Sequence, residues 1–258
     1  VVTWNVHELF DALDVQQGPG HEDTVPTAAQ VEAKLAAIAR PLAELAPDIV
    51  VLQEVETRAL LVRLATHPLL AGRLPAVYLE DGNDPRGIDI GVMAASPLSA
   101  WRSHREDRDP SGGLLWSRDC VEVRFTFDGH PFVLFGNHFV SRRLPRDSRR
   151  QRQAQGVADY AQAVVRLEPG ATVLVAGDLN DEPDSPTLAP LLGLRGFVDL
   201  GADLASSDRW TYRFQGRLER IDYILMGGAT QWQREIAVAP VDAVASDHRP
   251  VVLDLWLH

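Results

Sequence analysis

The side chains best placed to do chemistry sit at the ends of short apolar runs. Thr172–Asp181 (TVLVAGDLND) is such a run, punctuated by Gly177 and followed at once by Asp178, Asn180 and Asp181. A continuous apolar run this short suits a strand buried on both faces, because alternation is needed only where one face meets water. Oxygen-bearing groups at the carboxyl end of such a strand lie where α/β sheets commonly hold ligands. Gly, Asp and Asn are equally the residues of an ordinary turn, so partners elsewhere in the chain must decide. Asn5 ends the opening run VVTWNV, Glu54 follows Ile49–Gln53, and Asp247-His248 precede Pro250–Leu257. Asp222 lies among Ile221, Ile224 and Leu225, where a carboxylate is expensive unless paired or bound to a metal. Oxygen-rich clusters without cysteine favour Mg2+, Mn2+ or Ca2+ over zinc. Beside a histidine, such a cation suits phosphoryl chemistry, with phosphate charge neutralised and an oriented water attacking in line.

The elements that must position these groups follow from periodicity. From Thr27, apolar residues at 31, 35, 38, 42 and 45 predict a helix, which Pro41 should kink or split near Arg40. A second helix is expected over Thr57–Leu64, capped by Thr57. Val77–Leu79, Ile88–Ala95, Leu98–Ser103 and Asp119–Phe127 read as strands, and Asp128-Gly129 turns the chain into Pro131–His138. A basic segment, 141–152, runs into a helix carrying Ala154, Val157, Ala161 and Val164. Pro186–Leu192 is a short helix, and Arg209–Phe214, Arg220–Met226 and Gln231–Ala239 are further strands. Strand–helix alternation early and hairpins later predict an α/β protein of two sheets packed face to face with helices outside, a single domain over residues 1–258.

Composition narrows the class. No run of about 18 apolar residues exists, so no membrane span is expected. A lone cysteine, Cys120, excludes an intrachain disulfide framework and a Cys-rich zinc site. The net charge of −11 argues against sequence-blind adhesion to nucleic acid. Lys34 is the only lysine among 25 basic residues, and arginine forks well onto phosphate. Because the chain opens at Val1 directly in a strand, a preceding segment is expected to have been removed. If that segment was a signal, the protein is secreted or periplasmic; otherwise it is cytoplasmic. Nothing implies a protein partner, and a monomer is expected.

The ordered set Trp4-Asn5, Gln53-Glu54, Arg86–Val92 (RGIDIGV), Gly136–His138 (GNH), Gly177–Asn180 (GDLN), Arg220–Tyr223 (RIDY) and Ser246–His248 (SDH) resembles the endonuclease/exonuclease/phosphatase superfamily, and within it the branch of DNase I-like enzymes and bacterial nucleases. Each tag alone is weak; the set in order, across the whole chain, is specific. The resemblance implies a four-layered α/β/β/α sandwich. It implies that Glu54 is the principal metal ligand, with Asn5 beside it on metal or phosphate, and that Asp247 binds metal or fixes His248. Asp178 would orient the attacking water, Asn180 would contact a phosphate oxygen, and His248 would lie against the scissile phosphate. His138 would donate to the phosphate or the leaving oxygen. Asp222 would tie Asn180 or the histidines into a network. Asp89 is the candidate to hold the other nitrogen of His138. Two departures limit the carry-over: His7-Glu8 stand where the bacterial branch has Glu-Asn, and no cysteine pair matches the disulfides of the animal enzymes.

Substrate class is read from the basic segment after His138, in which Arg142, Arg143, Arg149 and Arg150 are candidate phosphate contacts. A solvated helix face is the ordinary alternative. Trp210 and Tyr212 share one face of a strand, either as core or as a stacking platform for a base. The leading expectation is a metal-dependent phosphodiesterase acting on DNA or RNA, with Mg2+, Mn2+ or Ca2+ as cofactor. A phosphatase or phosphodiesterase for a small phosphorylated molecule or lipid head group is the alternative, and a catalytically silent binding module a third.

Overall fold

The apolar runs become strands, and their order in two sheets decides where the polar ends meet. The computed structural model describes residues 1–13, 25–142, 146–229 and 232–256. The first sheet contains β1 (Val2–Leu9), β2 (Ile49–Val55), β3 (Ala76–Tyr78) and β4 (Asp89–Ala94). The second contains β5 (Ala100–Ser103), β6 (Cys120–Phe127), β7 (His130–His138), β8 (Thr172–Asp178) and β9 (Phe197–Asp199). A small hairpin, β10 (Tyr212–Phe214) and β11 (Arg217–Glu219), stands apart. Strand β12 (Asp222–Gly228) joins the second sheet, while β13 (Gln233–Val238) and β14 (Val251–Trp256) join the first. The orders are β13-β14-β1-β2-β4-β3 and β5-β6-β7-β8-β12-β9.

Each sheet has one parallel pair at its centre: β1 with β2, and β7 with β8; the neighbouring pairs are antiparallel. Parallel neighbours end at the same edge. Asn5 therefore sits opposite Gln53, next to Glu54, and His138 sits opposite Asp178. Antiparallel β12 starts where β8 stops, which sets Asp222 opposite Asp178. This topology, more than any local turn, gathers the polar groups.

Three apolar layers separate four layers of structure. Val51, Ile90 and Val92 of the first sheet pack against Val121, Leu134 and Ile224 of the second. Helices α1 (Ala28–Leu45) and α2 (Arg58–Ala65) cover the outer face of the first sheet through Leu35, Ile38 and Leu61 against Trp4 and Leu52. Helices α3 (Asp147–Leu167) and α4 (Ala189–Leu192) cover the second through Ala154, Val157 and Leu191 against Phe135 and Val175. The fold is the α/β/β/α sandwich of packed mixed sheets.

Some local expectations need correction. Helix α1 is continuous through Pro41. Proline in a helix interior costs about 3 kcal/mol, but a break would pull Leu42 off the stripe that Val31, Leu35 and Ile38 bury. A reciprocal capping box between Thr27 and Gln30 starts this helix. Helix α3 begins at Asp147, so much of the basic segment forms its first turns. Strands β9 and β11, three residues each, are too short to show a period.

Candidate active site

At the shared edge, backbone geometry is set first. Gly177 has φ 135°, and a Cβ there would stand 2.0 Å from the Asn137 carbonyl oxygen; only glycine lets β8 approach β7 this closely. Four non-glycine residues in left-handed conformation cluster at the same edge: His7, Glu8, Glu54 and Asn180. Such backbone strain concentrates at functional sites. The β1–β2 register shifts after Asn5, which turns Glu54 inward.

Asn5 then stitches the two sheets together. Its Nδ2 donates to Glu54 Oε1 and to Asp178 Oδ2, both at 3.0 Å, while its Oδ1 accepts from the His7 N–H at 2.9 Å. Glu54 Oε2 accepts the Glu8 N–H. Asp178 Oδ1 accepts the Asn180 N–H at 2.8 Å, and Asn180 Nδ2 donates to the Phe139 carbonyl. Trp4 Nε1 donates to the His248 carbonyl and Ser246 Oγ to that of Asn5, locking β1 to the turn before β14.

The two histidines are held in opposite states. His248 Nδ1 meets Asp222 Oδ2 at 2.8 Å, and the Asp222 amide donates to Thr211 Oγ1. Burial alone would lower the His248 pKa, but the charge and hydrogen bond of Asp222, then Asp178 and Asp247, outweigh it and hold it at about 10. Its Nε2 points toward Asp178 Oδ2 and Asp247 Oδ1, each 4.0 Å away, and Tyr212 lies 4.5 Å from its ring centroid to centroid. His138 Nε2 is 3.6 Å from Asp178 Oδ2 and 3.8 Å from Glu54 Oε1. Burial, reinforced by Arg118, His248 and Arg86, pushes its pKa well below the ordinary value. Their surroundings thus push the two imidazoles in opposite directions. Burial and then Asp222, against His248 and Asn5, lift the Asp178 carboxyl to about 7. Titratable groups driven apart by their surroundings are what acid–base work requires.

The donor set fits a hard cation. Glu54, Asp178 and Asp247 offer carboxylate oxygens; the buried Oδ1 of Asp222 has no hydrogen-bond partner among the described residues, and Asp247 Oδ1 lies 3.3 Å from His7 Nδ1. Asp178, Asp222 and His248 also lie close enough to share an ion. In that trio the Asp222 contact occupies His248 Nδ1 and leaves Nε2 facing Asp178. Asn5 joins the carboxylates through Nδ2, and its Oδ1, which accepts the His7 N–H, keeps a second lone pair.

The remaining predicted residues divide. Asp89 does not reach His138; its Oδ1 accepts the Gly82 N–H at 2.7 Å, and His138 Nδ1 has no hydrogen-bond partner among the described residues. The β2–β4 register sets Asp89 opposite Val55, in the first sheet, whereas His138 belongs to the second. Arg150 is no substrate contact. It is 2% exposed and pairs with Asp181 and Asp147, because its place on α3 faces the core. That also makes Asp181 a buried anchor instead of a plain turn residue, bonded besides by Thr187 Oγ1. Arg149 donates to the carbonyls of Leu114 and Trp116. Arg142 lies at the edge of the site but pairs with Glu219, and stands within 3.8 Å of Asp181 and Glu182. Arg143 lies outside the described residues. Trp210 is no buried core residue: the guanidinium groups of Arg213 and Arg249 lie 5.1 and 4.3 Å from its ring centroid.

Sequence reasoning missed Arg118, Thr211 and Lys34. Arg118 is buried and donates to the Phe139 carbonyl beside His138. Thr211 fixes the amides of Ile221 and Asp222. Lys34 donates to the Ala245 carbonyl. None sits in a recognisable tag, and each acts on a partner in another element or turn.

Comparison with solved structures finds the same architecture. Truncated TDP2 of Caenorhabditis elegans superposes with a TM-score of 0.72 at 16% identity, over 99% of this chain and 96% of that one. TDP2 of D. rerio in complex with a single-strand DNA product gives 0.66 at 19% identity, over 97% and 95%. A conserved protein of unknown function from Enterococcus faecalis V583 gives 0.71 at 16%, over 100% and 99%. Comparison with curated protein sequences gives no match. The model of the Endonuclease/Exonuclease/phosphatase family matches residues 2–248, and with that span the chain belongs to this family.

Proposed function

We propose that the protein is a divalent-metal-dependent phosphodiesterase that cleaves nucleic acid with water as nucleophile. One observation carries this reading: the Nε2 atoms of His138 and His248 face the same carboxylate, Asp178, at 3.6 and 4.0 Å, beside Glu54. A divalent cation held by Glu54 and Asp247 would neutralise phosphate oxygens and stabilise charge on the leaving oxygen. Asp178, whose proton affinity is raised, positions the attacking water and accepts its proton. His248, kept cationic by Asp222, donates to a non-bridging phosphate oxygen. His138 stays neutral and presents Nε2 to the phosphate or the leaving group. Asn180 keeps Asp178 oriented through its amide and has a second side-chain N–H for a phosphate oxygen. The neighbouring D. rerio TDP2, held with a single-strand DNA product, supports nucleic acid as the substrate class.

A second reading, a small phosphoester, draws support from the cavity beside the site. Asp181, Glu182, Asp184 and Asp199 line it against Arg209 and Arg220, an acidic balance that disfavours a polyanion. The deciding experiment incubates the protein with supercoiled plasmid, a single-stranded oligonucleotide, and dye-linked phosphodiester and phosphomonoester substrates, each with Mg2+ or Mn2+. Nicking of DNA that disappears in Asp178→Ala and His248→Ala supports the nuclease. Hydrolysis of the small esters with intact DNA overturns it.

A further inference from the structure

The lone lysine stands on the inner side of α1. Lys34 follows Val31 by three residues and precedes Ile38 by four, so it shares the helix face that packs on the first sheet. Its Nζ donates to the Ala245 carbonyl at 2.8 Å across 211 residues of chain. Ala245 is buried, and the turn around it closes locally, with the amides of Ala245 and Ser246 directed at the Asp242 carbonyl. From there a chain of contacts leads into the site. Ser246 Oγ donates to the Asn5 carbonyl at 2.7 Å, and the His248 N–H donates back to Ser246 Oγ at 2.9 Å. Asp247 lies between these two anchored residues. The charge of Lys34 is also felt together with those of Glu54, Asp247 and Glu8, and although burial lowers its pKa to about 8, these acids oppose that drop.

We propose that Lys34 is a positioning residue for the hydrolytic site: its ammonium ties the Ala245–His248 turn to α1, while Ser246 ties the same turn to β1. The inference rests on the hydrolase reading for its kinetic arm only. A carbonyl this deep loses its donor when Lys34 is shortened or made apolar, and the turn must shift to find another. A displacement of about 1 Å at a reacting group can cost about a hundredfold in rate. Arginine keeps the charge and a donor on a longer stem, so it should restore part of the function.

The test compares Lys34→Met and Lys34→Arg with the unaltered protein by amide hydrogen exchange and by steady-state hydrolysis. Expected for Lys34→Met is exchange about tenfold faster or more at the amides of Ser246 and His248, with β8 amides unchanged. Its kcat should fall by about tenfold or more while KM stays within about twofold. Lys34→Arg should recover protection and kcat in parallel. Unchanged protection at Ser246 and His248 in Lys34→Met overturns the proposal, whatever the activity. So does a kcat within about twofold of the parent, or an arginine variant no better than methionine. Should Lys34→Met fail to fold, Lys34→Arg alone decides, and equal exchange with a tenfold kcat loss overturns it. If the parent hydrolyses none of the substrates, the hydrolase reading fails, and the exchange arm still judges the anchoring role.

Discussion

At the scale of single residues, the site works by opposing environments. Asp222 stands behind His248 with one oxygen on Nδ1, and its own amide is held by Thr211. Asp222→Asn keeps the size and can keep a contact to Nδ1, but it removes the charge that holds His248 protonated. The expected result is a kcat loss of about a hundredfold or more with little change in KM, read from steady-state rates; a loss confined to KM would show that His248 only binds substrate. Asp89 offers a test in stability. Burial, helped by Asp81, Asp84 and Asp119 and opposed by the Gly82 N–H, lifts its carboxyl from 3.8 to about 7. The folded state then holds more protons than the unfolded one between those values, so stability is lost as pH rises through that window. Asp89→Asn still accepts from Gly82 and carries no charge to bury. It should match the parent near pH 4 and exceed it by roughly 2–4 kcal/mol near pH 8 in urea unfolding; a gap that does not change with pH would refute the raised carboxyl. The residues legible in the sequence were those adjacent to strand ends, such as Glu54, Asp178 and His248. Lys34, Arg118 and Thr211 were hidden because their roles depend on partners that only the fold brings close, and Asp89 was misread because proximity in a motif says nothing about which sheet it joins.

At the scale of elements, α3 is the brace for the second sheet's half of the site. Arg150 reaches from its first turns to Asp181 Oδ2 at 2.9 Å, and Gln153 Oε1 accepts the Val140 N–H two residues beyond His138. Arg150→Ala leaves the Asp181 carboxylate buried without its cation, and such a broken pair costs about 3–5 kcal/mol. Chemical denaturation should therefore show a large fall in stability. If stability holds and only the salt dependence of substrate binding changes, Arg150 is a surface contact after all. The same helix shows why sequence reading stopped short: its first turns carry Arg149, Arg150 and Arg152 with only Arg150 buried, so no apolar period marks the start and it was read as a basic segment. Strands buried on both faces, β2 and β8 above all, were plain as apolar runs. Pro41 misled because a local penalty was outweighed by the buried stripe on either side of it. The three-residue strands carry no pattern to read.

At the scale of the whole molecule, the arrangement of sheets and the distribution of charge make opposing demands on the substrate. Two central parallel pairs bring Asn5-Glu54 and His138-Asp178 to one edge, which concentrates carboxylates there. The chain as a whole carries −11, and the described arginines nearest the site are already engaged: Arg118 with Phe139 and Asp84, Arg142 with Glu219, Arg150 with Asp181. A polyanion therefore gains little from long-range attraction and must be held by the reacting phosphate and its immediate neighbours. For a single strand, each neutralised phosphate contributes about −0.7 to the slope of log affinity against log salt. With one or two contacts, the apparent binding of a single-stranded oligonucleotide should follow a slope no steeper than about −2. Measuring KM or fluorescence-anisotropy affinity across monovalent salt tests this, with inactive Asp178→Ala used for binding. A slope near −4 or steeper would demand several more cationic contacts, and Arg143, outside the described residues, would be the first position to neutralise. A shallow slope together with efficient turnover of short substrates would instead mean that this family member recognises the phosphoester at its centre and little of the strand around it.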